Sequence, residues 1–395
     1  MTLNTIEQLP LAEQRVFIRV DFNVPLSKAG VITDDTRIRE ALPTIQYARR
    51  HGAKVILASH LGRPKGKVDP TFSLKPVAER LTSLLATPVI LASDCIGPAA
   101  QEHVTKLVTG QVLLLENLRF HAQEETNEPQ FSQALAAFAH VYVNDAFGSS
   151  HRAHASVVGI VQHFTHKGVG FLMQKEVIAL TRLLEHPERP FVAILGGAKV
   201  SDKIGLIGNL LARVDTLIIG GAMAYTLLQA QGVRTGKSLV EPEKITDVQS
   251  MLAEADKRGV KILIPQDHII VAKLQAGAST TTTSGQEISD DRLGVDIGPQ
   301  SIALFREAIH SARTILWNGP MGVFEISPFD QGTRALAEAV ATTTCYSVAG
   351  GGDTVAALTQ AGLADKISHI STGGGASLEF LEAGDLPGLA ALRHQ

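Results

Sequence analysis

Five basic side chains in the first half of the chain, Arg37, His60, Arg63, Arg119 and Arg152, could together neutralise one anion. Guanidinium forks match phosphate and carboxylate oxygens, so several converging arginines imply a ligand of that kind. All but Arg37 follow closely on a short apolar run. The pattern is clearest in Arg19-Val20-Asp21-Phe22-Asn23-Val24-Pro25 and in Ser59-His60-Leu61-Gly62-Arg63-Pro64. Asp21 and Asn23 sit where they could orient hydroxyl groups of the same ligand. Any one of these arginines alone reads as a surface residue or half of an ion pair; only their convergence makes a site.

The second half ends its apolar runs differently, in glycine. Of the 35 glycines, 10 precede residue 190. Gly196-Gly197-Ala198-Lys199-Val200-Ser201-Asp202-Lys203, Gly220-Gly221-Ala222, Asn318-Gly319-Pro320-Met321-Gly322-Val323-Phe324-Glu325, Gly350-Gly351-Gly352-Asp353-Thr354 and Thr372-Gly373-Gly374-Gly375 each follow such a run. One glycine pair after a strand is an ordinary turn. Five clusters at one sheet edge would make a smooth backbone-lined surface suited to a nucleotide. The first cluster is expected to open a helix whose N-terminus faces an anion, with Lys199 and Lys203 on one helical face. Asp353 is placed to hold Mg²⁺ on phosphates, since that ion prefers hard oxygen ligands; as a plain structural feature it would N-cap a helix beginning near Thr354.

Other chemistries lack their motifs. There is no G-x-x-x-x-G-K-[ST] loop and no G-x-G-x-x-G opening a βα unit. H-E-x-x-H and G-x-S-x-G are also missing. His151-Arg152-Ala153-His154 has metal-pair spacing but no further ligand nearby, so its imidazoles are assigned to the basic patch. Cys95 and Cys345 lie far apart without C-x-x-C spacing, which argues against a disulfide framework or a zinc site; they read as buried thiols in a reducing compartment.

The elements that must position these groups are short and apolar throughout. Val16–Val20, Lys54–Ser59, Val89–Leu91, Val112–Leu115 and Val141–Val143 read as strands in the first half. Phe191–Leu195, Thr216–Ile219, Lys261–Ile264, Thr314–Trp317, Tyr346–Val348 and His369–Ser371 do so in the second. Near-continuous apolarity means strands covered on both faces. Helical spacing between them, as in Thr36–His51, makes βαβ units and a mostly parallel sheet in each half. Pro43 should kink or restart that helix. A helical stretch follows Gly168 and Gly170 and stops at Pro187 and Pro190, which places a linking helix at 173–186. Ala278–Ser284 reads as a surface turn or hairpin.

With 395 residues, two domains are expected. Hydrophobic content of 45% with 19% charged residues is that of an ordinary α/β protein. A net charge of -3 argues against nucleic-acid or membrane-surface binding. No stretch has the length and apolarity of a signal peptide or a membrane span, which leads to the expectation of a cytoplasmic protein.

Assembled in order, these motifs resemble the phosphoglycerate kinase family over nearly the full length. Val20–Pro25, Ser59–Pro64, Glu116-Asn117-Leu118-Arg119-Phe120-His121 and Asn144-Asp145-Ala146-Phe147-Gly148 resemble its N-domain signatures. Gly197–Val200, Trp317–Pro320, Gly351–Thr354 and Thr372–Ser377 resemble those of its C-domain. The resemblance implies two doubly wound, Rossmann-like α/β domains joined by a helix, with a cleft between them. Residues 1–172 would bind 3-phosphoglycerate, 187–379 would bind nucleotide, and a tail at 380–395 would return to the first domain. It further implies reversible transfer of phosphate from 1,3-bisphosphoglycerate to ADP, with Mg²⁺.

By the same resemblance, Asp21, Asn23, Arg37, His60, Arg63, Arg119 and Arg152 would bind the glycerate ligand. Lys199, Lys203, Gly220, Gly221, Gly294, Asn318, Glu325, Gly351, Gly352, Asp353 and Thr354 would line the nucleotide site. Ala222 and Tyr225 depart from common family choices at the adenine pocket. The acceptor in such a reaction is a carboxylate already ionised at neutral pH, so no general base is needed. Positioning and charge neutralisation suffice; Arg37 and Lys199 are assigned to the transferred group and Asp353 to Mg²⁺. A monomer that closes about its linking helix is expected. The alternatives weighed are a non-catalytic nucleotide-binding scaffold or sensor, and a nicotinamide-dependent dehydrogenase; the missing dinucleotide fingerprint disfavours the second.

Overall fold

The computed structural model describes residues 3–393. The strands, in chain order, are β1 (Arg15–Arg19), β2 (Lys54–Ala58), β3 (Val89–Leu91), β4 (Val112–Leu114), β5 (Val141–Asn144) and β6 (His166–Val169) in the first half. Those of the second half are β7 (Phe191–Leu195), β8 (Thr216–Ile219), β9 (Lys261–Leu263), β10 (His268–Val271), β11 (Thr281–Thr282), β12 (Leu293–Ile297), β13 (Thr314–Asn318), β14 (Tyr346–Gly350) and β15 (His369–Ile370). The chain divides into two compact units, Met1–Ile178 with Asp385–Gln395, and Ala179–Gly384.

The first unit holds a six-stranded parallel sheet in the order β3-β4-β2-β1-β5-β6. From β1 the chain winds outward through β2, then crosses back to β5 and β6 on the other side. The order therefore reverses between β1 and β5. Right-handed crossovers that reverse direction leave a crevice beyond the carboxyl ends of the central strands. Val16, Ile18, Val55, Leu57, Val112, Leu114, Val141 and Val143 pack one face into a core with Ile38, Ile45, Val77 and Leu81 of the covering helices.

Pro43 does not interrupt its helix. Thr36–Arg50 runs as one element with Pro43 inside it. The ring removes a single backbone donor, while burial of Ile38, Ala41, Thr44, Ile45 and Ala48 along one face holds the turn on either side. Strand β6 is an addition to the sequence expectation. Its pairing with β5, Val143 opposite Gly168, uses a glycine because any larger residue there would meet the Asn4 carbonyl.

The second unit repeats the scheme. Its six parallel strands run β15-β14-β13-β7-β8-β9, and the order reverses between β7 and β13. Trp317, Phe305, Ile315 and Leu336 anchor its core. A separate antiparallel sheet, β11-β10-β12, lies in the same unit; β11 falls within the expected turn or hairpin at Ala278–Ser284, whereas β10 and β12 were not expected. The helix Phe171–Glu185 spans the division between the two units. Helix Gly375–Ala383 belongs to the second unit and ends on Gly384 in a left-handed turn. Beyond it, helix Pro387–Arg393 packs on the first unit, where Gly388 N–H donates to the Ser150 carbonyl at 2.9 Å. Residues 394 and 395 of the expected tail lie outside the described residues.

Candidate active site

Three of the groups assigned to the anion site meet just beyond β1 and β2. Arg37 Nη1, in the first turn of helix Thr36–Arg50, donates to Asp21 Oδ2 at 2.5 Å. His60 Nδ1 stands 4.0 Å from Asp21 Oδ1. Asn23 Oδ1 accepts the Gly62 N–H at 2.8 Å, and Arg119 Nη1 donates to the Gly62 carbonyl at 2.9 Å. Asn117 Oδ1 accepts from both Leu61 N–H and Arg119 N–H, which fixes the loop after β4 against the loop after β2. Arg63 and Arg152 are exposed, and the side chain of Arg63 makes no hydrogen bond or ion pair with another described residue.

Behind this group lies a residue not assigned to the site from sequence. Arg19, the last residue of β1, is fully buried. Its Nε donates to Ser156 Oγ at 2.8 Å, its Nη1 to the Val20 carbonyl, and its Nη2 lies 3.3 Å from His60 Nδ1. Ser156 in turn donates to buried Glu124. A guanidinium is buried only when its donors are used, and these partners use them. The signal was a charged residue inside the apolar run Val16–Val20.

The electrostatics follow from that burial. Burial alone would raise the Asp21 carboxyl, but Arg37, His60 and Arg19 more than offset it and hold the group at about 2. Burial, helped by Arg19, Arg119 and Arg37, drives His60 well below its ordinary value despite Asp21. His60 is therefore neutral at pH 7 and is not one of the cations it was counted among. His154 is held at about 3, first by burial and then by Arg19 and Arg119. Its imidazole adds no charge to the patch either. The positive charge of this site is carried by guanidinium groups.

In the second unit the five glycine clusters end five adjacent parallel strands, β15, β14, β13, β7 and β8, at one sheet edge. At the reversal point, Lys203 Nζ donates to the Gly196 carbonyl at 2.7 Å, the Asn318 carbonyl at 2.8 Å and Asn318 Oδ1 at 2.5 Å. Those are the three donors an ammonium has. Asn318 Nδ2 reaches the Gly350 carbonyl at 2.9 Å, and Thr354 Oγ1 accepts the Gly319 N–H at 2.7 Å. Lys203, Asn318 and Thr354 thus tie together the ends of β7, β13 and β14. Burial brings Lys203 down to about 8, against the opposing pull of Asp353 and Asp202.

The expected helix after β7 starts later than the glycines. Residues 197–203 are bends and turns, and the helix is Ile204–Leu210. Gly197, at φ +112°, takes the chain out of β7 in a conformation that disfavours a side chain. Lys199 is therefore exposed on the loop while Lys203 points into the sheet edge, and the two do not share a helical face. Asp353 is likewise not an N-cap. Gly351 caps the helix Gly352–Gln360, and Asp353 lies in its first turn.

Above these struts opens a cavity of about 240 Å³. Gly197, Gly221, Tyr225, Gly294, Glu325 and Asp353 are among its lining residues. Of the residues assigned to a nucleotide, Gly221, Gly294, Glu325 and Asp353 line it directly. Gly220, Asn318 and Thr354 are buried beneath as its frame, while Lys199, Gly351 and Gly352 stand outside its wall. Gly221, at φ +65°, must lack a side chain because a Cβ would come within 2.6 Å of the Gly197 backbone. Gly294 comes from the unexpected β12 and admits the Tyr225 hydroxyl, whose contact a Cβ would block. Asp353 offers an exposed carboxylate at the cavity wall, the single hard donor that Mg²⁺ needs when phosphates and water complete its shell.

Two open parallel-sheet units, one presenting guanidiniums and the other a glycine-lined cavity, are the arrangement of a phosphotransferase that handles two anionic ligands. The family model described as phosphoglycerate kinase matches residues 6–384. The phosphoglycerate kinase of Koribacter versatilis is 57% identical, with 100% of each chain covered. That of Acidobacterium capsulatum is 56% identical, with 99% of each covered. The solved structure of phosphoglycerate kinase from Coxiella burnetii has a TM-score of 0.90 at 43% identity, covering 99% of this chain and 98% of that one. The chain belongs to the phosphoglycerate kinase family. The reading as a non-catalytic scaffold finds no support in these relatives. Among the described residues no helix is long and apolar enough to cross a membrane.

Proposed function

We propose that the first unit binds 3-phosphoglycerate or 1,3-bisphosphoglycerate and the second binds MgATP or MgADP, the phosphoryl group passing directly between them. The observation that carries this reading is the separation of two unlike sites, each at the strand-order reversal of its own sheet. Arg37, Arg63, Arg119 and Arg152 neutralise the glycerate ligand, Asp21 aims Arg37, and Asn23 and neutral His60 offer hydrogen bonds to it. The cavity at Gly221, Tyr225, Gly294 and Glu325 takes the nucleotide. Asp353 holds Mg²⁺, which when bound neutralises phosphate charge.

Arg37 and the loop-borne Lys199 neutralise the group in flight; the exposure of Lys199 leaves it free to swing onto a phosphate. The acceptor carboxylate is ionised already, which accounts for the lack of a base. Because donor and acceptor must come to roughly 3–3.5 Å, the reaction requires the two domains to close. The protein acts as a monomer in the cytoplasm. The test is the steady-state assay with 3-phosphoglycerate and MgATP. Arg37→Ala and Lys199→Ala should each lower turnover by about 10³–10⁵-fold with the fold intact, as for arginines that stabilise a transferring phosphoryl group. Near wild-type turnover in either variant would remove that residue from the role.

A further inference from the structure

We propose that Asp94, Cys95 and His121 form a binding site for one divalent transition ion of the zinc class. Asp94 and Cys95 follow β3 and His121 follows β4, and these two strands are neighbours in the sheet. The site lies on the same sheet edge as His60, which follows the neighbouring strand β2, and Asp21, which follows β1. One carboxylate oxygen, the thiol sulfur and one imidazole nitrogen all lie within 4.8 Å of one another. His121 Nε2 and Asp94 Oδ1 are 2.7 Å apart.

The three groups are arranged in depth. Cys95 is fully buried, whereas the side chains of Asp94 and His121 are 42% and 24% exposed. An ion arriving from solvent would meet oxygen and nitrogen first and sulfur at the floor. Around an ion with metal–ligand distances of about 2.0–2.3 Å, the Asp94–His121 pair would open from its 2.7 Å separation to admit the ion between them. A hydrogen-bonded His–Asp pair explains two of the residues, but it gives no reason for a thiol beneath them.

Donor chemistry selects the ion. Thiolate and imidazole favour zinc-like ions over Mg²⁺, which prefers oxygen alone. Three protein ligands leave a fourth position for water. On binding, the Cys95 thiol releases its proton to solvent. In the pair seen, His121 Nε2 donates to Asp94; on binding, Nε2 gives up that proton and the imidazole takes the tautomer protonated at Nδ1, so that the Nε2 lone pair reaches the ion. No oxidation or reduction is involved. The bound ion would pin the segment after β3 to the one after β4, two residues from Arg119.

Co²⁺, added to the reduced full-length chain without nucleotide, reports the site directly, because thiolate ligation gives a near-ultraviolet charge-transfer band. The band should appear at one equivalent, vanish in Cys95→Ser and His121→Ala, weaken in Asp94→Asn and persist in Cys345→Ser. Zn²⁺ should abolish it and excess Mg²⁺ should not. His121→Ala changes a partly exposed side chain, so it decides the matter if Cys95→Ser fails to fold. No band in the wild-type chain, or a band that survives Cys95→Ser or His121→Ala, would overturn the proposal.

Discussion

Lys203 and Asn318 are joined twice, through the Asn318 side-chain oxygen at 2.5 Å and its backbone carbonyl at 2.8 Å. The pair locks β7 to β13 where the strand order reverses. It also places a cation under the proposed nucleotide cavity with its proton held loosely, since burial brings Lys203 to about 8. Phosphate oxygens above it would favour the charged form and raise that value. MgADP binding should therefore take up a fraction of a proton at pH 8 and none at pH 6, where Lys203 is already protonated. Calorimetry in buffers of different ionisation enthalpy measures this uptake. Lys203→Arg, charged throughout, should abolish it; equal uptake in that variant would assign the proton elsewhere.

Asp145 predicts an unusual pH dependence of stability. It follows β5, is fully buried, and accepts the Met173 N–H at 3.1 Å near the start of the helix Phe171–Glu185. Burial raises its carboxyl from 3.8 to about 7, against hydrogen bonds from Thr44, Met173 and Leu172. The folded state then binds more protons than the unfolded state between about pH 4 and 7, so stability should fall as pH rises through that window. The cost above pH 7 is on the order of 4 kcal/mol. Asp145→Asn keeps an acceptor for Met173 and removes the charge. Urea midpoints should show the variant gaining on the wild type from pH 5 to pH 8. Asp296, also raised to about 7 by burial, leaves a residual slope in both. A gap between variant and wild type that does not change with pH would contradict the assignment.

Closure gives the next prediction. If the acceptor carboxylate and the donor phosphate are held by different domains, both ligands together should compact the molecule more than either alone. Small-angle scattering with 3-phosphoglycerate and MgADP, singly and together, measures this. A radius of gyration unchanged in the ternary mixture would rule out closure.

The sequence was most legible where burial is two-sided. β7 and β8 match their apolar runs residue for residue, because a strand covered on both faces has no polar alternation to blur its ends. β6 escaped because His166 and Lys167 lie at a sheet edge and leave only a short apolar signal. β10 and β12 escaped because His268 in the one and Gly294 and Asp296 in the other break the apolar run. Residue types marked both sites, but not how each group is used. Lys199 and Lys203 share a spacing yet differ in role, since the glycines delay the helix. His60 reads as a cation until its burial beside Arg19 is seen. Arg19 itself looks like a strand residue, and only the fold shows that it underlies the site.

The division of ligands between the two units is the centre of this account, and calorimetric titration of each ligand into two variants tests it most directly. Arg63→Ala, an exposed change in the first unit, should weaken 3-phosphoglycerate binding and leave MgADP binding as in the wild type. Asp353→Ala, at the cavity wall of the second, should weaken MgADP binding and leave 3-phosphoglycerate binding unchanged. If Arg63→Ala impaired both ligands equally, or Asp353→Ala left MgADP affinity intact, the two sites would not be divided as described.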